Sequence, residues 1–267
     1  MDRGTRSSLN RTFATRAEQL ARGLQRHRES DLHQGEWRFG TVPVQARVNL
    51  AAFEATFFRE GVAAKTHRVV IGSNQLGTEE QTGLKGYFNR TRLFSRRMVT
   101  IVLNPTWRVP QRIKEEELDM KLMDEPDFYE KNNYEVVVHD DGSEHVVQLP
   151  GPKNALGLVK FLFPNNWSIY MHDTPKKRLF KRHIRAFSHG CMRVHEALDL
   201  AKWILTEIEG VTAKRFDKIM ERKKTYGIPL KTKIPISIDY NTVGVHESGR
   251  MMFYLDVYKF DRDLLES

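Results

Sequence analysis

The chain is poor in cysteine: Cys191 is the only one in 267 residues. A single thiol excludes an intrachain disulfide framework, and it does not tell cytosol from periplasm. Long apolar runs are missing too. No stretch reaches the roughly 20 apolar residues that a membrane helix needs, so no transmembrane segment is expected. The opening residues, MDRGTRSSLNRTFATRAEQLARGLQRHRESD, lack the apolar centre of a secretory leader. Two readings follow: the protein stays inside, or this sequence is the later part of a longer, exported chain. There is no zinc-finger spacing, HExxH pair, RNP-like aromatic stretch, heptad run or internal repeat. Each absence removes support for the matching metal, RNA-binding, coiled-coil or solenoid class.

What is present is an ordinary globular composition with an excess of bases. Hydrophobic residues make up 40% and aromatics 10%, enough to bury a real core. Lys and Arg outnumber Asp and Glu by 43 to 34, a formal charge of +9. Such a balance favours anionic partners: nucleic acid, anionic lipid or an anionic cell-wall polymer.

Residues 12–28, TFATRAEQLARGLQRHR, read as an Arg-rich amphipathic helix with Phe13, Leu20 and Leu24 on its apolar side and a solvated charged face. From Gln45 the pattern changes to strands: QARVNLAAFEATFF, a turn in FREGVAAK, then THRVVIG. A Gly-, Asn- and Thr-rich loop leads to MVTIVLNP, a third strand stopped by Pro105. Residues 105 to about 165 read as an insertion. It holds a helix in QRIKEEELDMKLM, a short helical turn in DEPDFYEKNN, a hairpin around Asp141-Gly142 and a stiff loop, LPGPKNALG. KFLFPNNWSIYMH returns to strand character. VHEALDLAKWILTEIEG and VTAKRFDKIMERKK read as helices, and TKIPISIDYNTVGV and RMMFYLDVY as two closing strands.

The chemistry concentrates around FSHGCMRVHEA, residues 187–197. A cysteine is a nucleophile only as thiolate, and its free pKa is near 8.5. A catalytic one needs an imidazole in reach, an electropositive setting and backbone donors for an oxyanion. His172 ends a strand nineteen residues before Cys191. The loop between them carries Lys176, Lys177, Arg178, Lys181, Arg182 and Arg185, and no acid appears from Thr174 to His195. A helix starting just after the cysteine is expected to aim its positive end at the sulfur. Gly190 removes bulk where a carbonyl would approach. Other readings stay open at this point. Cys191 is also a candidate buried, inert sulfur, or a metal ligand with His172, His183, His189 or His195. His189 reads best as structural, and Arg193 as an ion pair or a contact for a carboxylate. The basic loop is either a solvated flap or a lid that holds the thiolate and attracts anionic polymer.

His172, fifteen intervening residues and then Ser188-His189-Gly190-Cys191-Met192-Arg193 resemble the signature of the L,D-transpeptidases, the YkuD-type catalytic domain. VNLAAFEATFFREG is similar to that family's opening strand pair. LNPTWRVPQRIKEEEL, PGPKNALGLVKFLFPN and YMHDTP resemble its longer subgroup with a capping insertion. The resemblance implies a mainly β fold: a YkuD-like β-sandwich core, an α/β cap at about 105–165 and flanking helices. Residues 1–40 would be an N-terminal helical segment, a remnant of an upstream region, and 41–267 the catalytic domain. Cys191 would be the nucleophile, and His172 its base, oriented by the Asp173 carbonyl. Ser188, His189, Gly190 and Arg193 would shape the pocket and its oxyanion hole. Tyr170, Met192 and Trp167 would touch substrate. The implied reaction is acyl transfer between peptidoglycan stem peptides, forming 3→3 cross-links with no metal or organic cofactor. Its place would be periplasmic or cell-wall associated, with no nucleic-acid partner. A hydrolase on the same fold, or a non-catalytic wall-binding module, are the competing readings. The chain departs from the family's Thr-Pro-x-Phe segment at Thr91-Arg92-Leu93-Phe94. That puts the edge of the cleft in question.

Overall fold

Alternation of burial marks the first strands. In Glu54–Arg59 the small Ala55 and the large Phe57 turn inward while Glu54, Thr56 and Phe58 do not, the period of two of a sheet with one covered face. Its partner Val44–Asn49 buries Val44, Ala46 and Val48. The computed structural model describes residues 13–33, 42–78, 83–246 and 248–263. Residues 1–12 and 34–41 of the expected N-terminal segment, and 79–82 of the Gly-rich loop, lie outside them. Strands account for 36% and helix for 26%, so the fold is mainly β with helices at its flanks, as the resemblance implies. No helix among the described residues is long and apolar enough to cross a membrane.

The chain divides into two compact units. The first comprises residues 1–97, 182–192 and 234–267. Within it Val44–Asn49 pairs antiparallel with Glu54–Arg59 and parallel with the end of Tyr226–Asp239. Glu54–Arg59 pairs with Val62–Gly72 through a tight turn. Glu60 (φ 52°) and Gly61 (φ 81°) both have positive φ there, the requirement of a hairpin turn that follows the strands' twist. Val62–Gly72 then pairs parallel with Ala186–Ser188, the strand that carries the chain into the cysteine turn.

The helix Phe13–His33 also belongs to this unit. Its buried line differs from the expected one. Leu24 is 52% exposed, while Gln19 is buried. The Gln19 amide donates to the Thr242 and Tyr254 carbonyls, each at 2.9 Å. Arg22 and Arg26 reach the Asp261 carbonyl and carboxylate. The expected solvated charge therefore faces the C-terminal segment. Polar side chains dock well here because they meet backbone carbonyls and one acid that need donors. The closing region differs as well. Tyr226–Asp239 is one long strand, followed by a separate hairpin, Val243–Val245 with Met251–Phe253.

The second unit comprises residues 98–181 and 193–233. Val159–Leu162 pairs with the end of Phe94–Leu103 on one side and with Met171–His172 on the other. The insertion builds its own layer here. Tyr134–Val138 and Glu144–Gln148 form the expected hairpin around Gly142, and Trp107–Arg108 extends it. Trp107, Val109, Leu118, Val146 and Leu156 make its small core, with Tyr170 packed against it. The buried Asn154 amide ties the layer together, donating to the Pro105, Gln148 and Leu149 carbonyls at 3.0 Å each. Of the apolar stripe expected in VHEALDLAKWILTEIEG, Ala197, Ala201, Ile204 and Leu205 are fully buried, Leu198 and Ile208 are only half-buried, and Leu200 joins the buried face.

Candidate active site

Cys191 sits in the first unit, on a turn whose peptide planes are held individually. The residue is half-buried. Gly190 has φ +120°, a conformation that a side chain would strain. A Cβ there would meet only the Arg90 carbonyl at 3.9 Å, so the glycine is required by backbone angle rather than by space. The Gly190 carbonyl accepts from Thr91 Oγ1 at 2.8 Å. The Cys191 carbonyl accepts from Ser188 Oγ at 2.5 Å, and that same oxygen accepts from Gly190 N at 3.3 Å. Ser188 is buried, and its carbonyl accepts from Ser73 N at 2.7 Å. Ser188 thus shapes the turn from beneath. His189 is half-buried beside it.

The expected helix directly after the sulfur is not there. Met192–Val194 is a strand, and the helix starts at Ala197. Met192 is fully buried. Its side chain belongs to the core.

His172 sits in the second unit with a frame of its own. It is 5% exposed, and its Nδ1 bonds the Asp173 carbonyl. A carbonyl only accepts, so Nδ1 carries the hydrogen and Nε2 keeps a lone pair. Burial pushes the imidazole down to about 3, helped by the positive charges of Arg193 and Lys160. It is therefore neutral at physiological pH, the form that can act as a base. Asp173 is anchored in turn: its carboxylate accepts from Leu158 N at 3.0 Å and meets Lys177. Gly157 makes room for it, since a Cβ there would lie 2.4 Å from the Asp173 carboxylate. The Tyr170 ring lies 5.6 Å from that of His172, with Lys160 4.0 Å above its face. Trp167 lies on a turn, at 45% exposure.

The basic loop is less free than its composition suggests. Lys177 meets Asp173, and Arg185 donates to the Val69 and Phe53 carbonyls. His195 lies edge-on to the buried Phe180 ring at 5.0 Å. No cluster of three or more His, Cys, Asp or Glu suited to a metal occurs among the described residues.

Sequence reading missed Thr91 as a supporting residue. It treated the segment as a departure at the cleft's edge. The structure shows Thr91 to be 1% exposed and bonded to both Gly72 N and Gly190 O. The hydroxyl was legible; its partner 99 residues away was not.

The low imidazole value has a consequence for stability. Unfolded, His172 takes up a proton near 6.5; folded, only near 3. Between these values the unfolded chain binds more protons. Acidification through that window therefore removes stability, and raising the pH restores it. Wild-type Tm is expected to drop between pH 7 and pH 4, and the drop to be shallower for His172→Gln. Parallel Tm curves for the two proteins would contradict this.

The model of the L,D-transpeptidase catalytic domain, YkuD, matches residues 43–236. A Haemophilus influenzae protein named "Putative L,D-transpeptidase" is 28% identical over 232 residues, covering 81% of this chain. The match takes in 44% of that relative, so this chain spans less than half its length. Among solved structures, an L,D-transpeptidase from Mycobacterium smegmatis shares 12% identity at a TM-score of 0.37, over 74% of this chain and 58% of that one. L,D-transpeptidase 1 from Mycobacterium tuberculosis shares 13% at 0.32, over 73% and 60%. With its model matched over most of the sequence, the chain belongs to the YkuD family of L,D-transpeptidase catalytic domains.

Proposed function

We propose that the protein is a cysteine-dependent L,D-transpeptidase that joins peptidoglycan stem peptides through a thioester on Cys191. The observation that carries this reading is the state of His172. With Nδ1–H committed to the Asp173 carbonyl, the imidazole keeps its lone pair on Nε2, the atom that would take the thiol proton.

In this reading Nε2 takes the Cys191 proton as sulfur attacks the carbonyl of the bond after the stem's diamino acid. The tetrahedral oxyanion is met by the main-chain N–H of Cys191, since Gly190 N already donates to Ser188 Oγ. The bond to the terminal D-Ala breaks, and its amine leaves with the proton from Nε2. A side-chain amine of a second stem then attacks the thioester, passes its proton to Nε2 and expels the thiolate, which regains that proton. One acyl group has moved and a 3→3 cross-link has formed. Residues 41–267, with the cap at about 105–165, are the domain assigned to this work, which lies at the periplasmic or cell-wall side of the membrane.

Intact mass tests it, for wild type and Cys191→Ala incubated with a tetrapeptide stem and, in parallel, a carbapenem. The expected result is a covalent adduct on the wild type alone, cleared into a cross-linked dimer when an amine acceptor is added. Clearance by water with no dimer assigns the hydrolase instead. A folded wild type that takes no adduct overturns acyl transfer.

A further inference from the structure

The family match ends at residue 236, yet a residue tied to the cysteine turn through Thr91 comes after it. Tyr258 is 0% exposed. Its hydroxyl donates to Gly72 O at 2.8 Å and accepts from Thr91 N at 3.1 Å. Gly72 N in turn donates to Thr91 Oγ1 at 2.9 Å, and Thr91 Oγ1 donates to the Gly190 carbonyl at 2.8 Å. Phenol, two backbone segments and threonine hydroxyl thus form one closed set of hydrogen bonds ending on the peptide group between Gly190 and Cys191.

That peptide group is trans, as no cis bond occurs among the described residues. In a trans peptide the carbonyl oxygen and the amide hydrogen point in opposite directions. Holding the Gly190 carbonyl on Thr91 therefore aims the Cys191 N–H the other way. This N–H is the donor that a tetrahedral oxyanion on Cys191 would use.

Tyr258 is itself over-determined. Its ring stacks on Tyr240 at 5.5 Å, and its N–H donates to Tyr240 Oη at 2.8 Å. Tyr240 Oη donates to Asp256, which also accepts from Asp261 N. From the other side Arg90 donates to the Tyr258 carbonyl at 2.8 Å and lies over the Tyr87 ring at 3.7 Å. A rigid C-terminal knot thus backs the one phenol that touches both Gly72 and Thr91.

We propose that Tyr258, acting through Thr91, is a positioning residue that orients the Cys191 N–H for oxyanion stabilisation. The inference rests on the acyl-transfer reading above. Tyr258→Phe keeps the ring and removes both hydroxyl bonds. Thr91→Val keeps shape and removes the bond to Gly190, and Thr91→Ser restores it.

The discriminating readout compares two reactions of one thiol. Alkylation by iodoacetamide needs no oxyanion hole, whereas acylation by a carbapenem does. Tyr258→Phe and Thr91→Val are expected to slow acylation about tenfold or more, since small misplacements of a catalytic group act on that scale. Alkylation is expected to stay within about twofold of the wild type, and Thr91→Ser to recover acylation. The double variant is expected to be no slower than the slower single one, because both act through one chain of bonds. A purely structural tyrosine predicts a lower Tm with the ratio of the two rates unchanged, and that result overturns the inference. Should Tyr258→Phe fail to fold, Thr91→Val carries the same comparison. A wild type that alkylates but is never acylated overturns the acyl-transfer reading and this inference with it. Acylation equally fast in wild type and variants overturns this inference alone.

Discussion

His172→Asn is expected to slow acyl-enzyme formation about a thousandfold, within the range of a positioned general base, while the protein stays folded. The asparagine amide can still donate to the Asp173 carbonyl that now accepts from Nδ1. What disappears is the basic lone pair of Nε2. A thousandfold is about 4 kcal/mol of transition-state stabilisation. The fold is expected to survive because His172 is buried neutral, so no buried charge is left behind. A time course of intact mass with a carbapenem measures the rate. Acylation within tenfold of the wild type would show that another group takes the thiol's proton.

Gly72→Ala is expected to cost about 3 kcal/mol or more in stability, at the upper end of overpacking effects. A Cβ there would lie 1.9 Å from the Asn89 carbonyl oxygen, 2.6 Å from Thr91 N and 2.9 Å from Arg90 C. These are backbone atoms, and no rotamer change relieves them. Moving them moves Thr91, and with it the Gly190 carbonyl. Both stability and acylation should therefore suffer. Gly249→Ala is the comparison. It has φ +79° with nothing within 4 Å of its Cβ, so only the backbone penalty of about 1–2 kcal/mol applies. Urea unfolding of the two variants and the wild type compares them. Equal losses would mean that the chain around Asn89 relaxes freely.

Residues close in sequence were read well. The Glu60-Gly61 turn, the hairpin around Gly142 and the helix in VHEALDLAKWILTEIEG follow from local pattern and turn chemistry, whereas KFLFPNNWSIYMH, read as one strand, holds two antiparallel ones, Val159–Leu162 and Met171–His172. The errors came where a distant partner outweighed the local preference. Leu24 was placed on a buried face, but Gln19, Arg22 and Arg26 are the residues that dock, because carbonyls and Asp261 await them. The residues after Cys191 were read as a helix start, but Met192–Val194 is a strand.

The candidate site divides along the same line. Cys191, His172, Ser188 and Gly190 announce themselves through residue type and spacing, and the family follows from them. These properties are local, since they depend on which groups exist and how far apart they lie along the chain. The Thr91–Gly72–Tyr258 bonds join positions 19, 167 and 186 residues apart. The burial that keeps the His172 imidazole neutral likewise depends on packing from several elements. Hydrogen bonds and desolvation are set by neighbours in space. Folding had to assemble those neighbours before the cysteine turn acquired its supports.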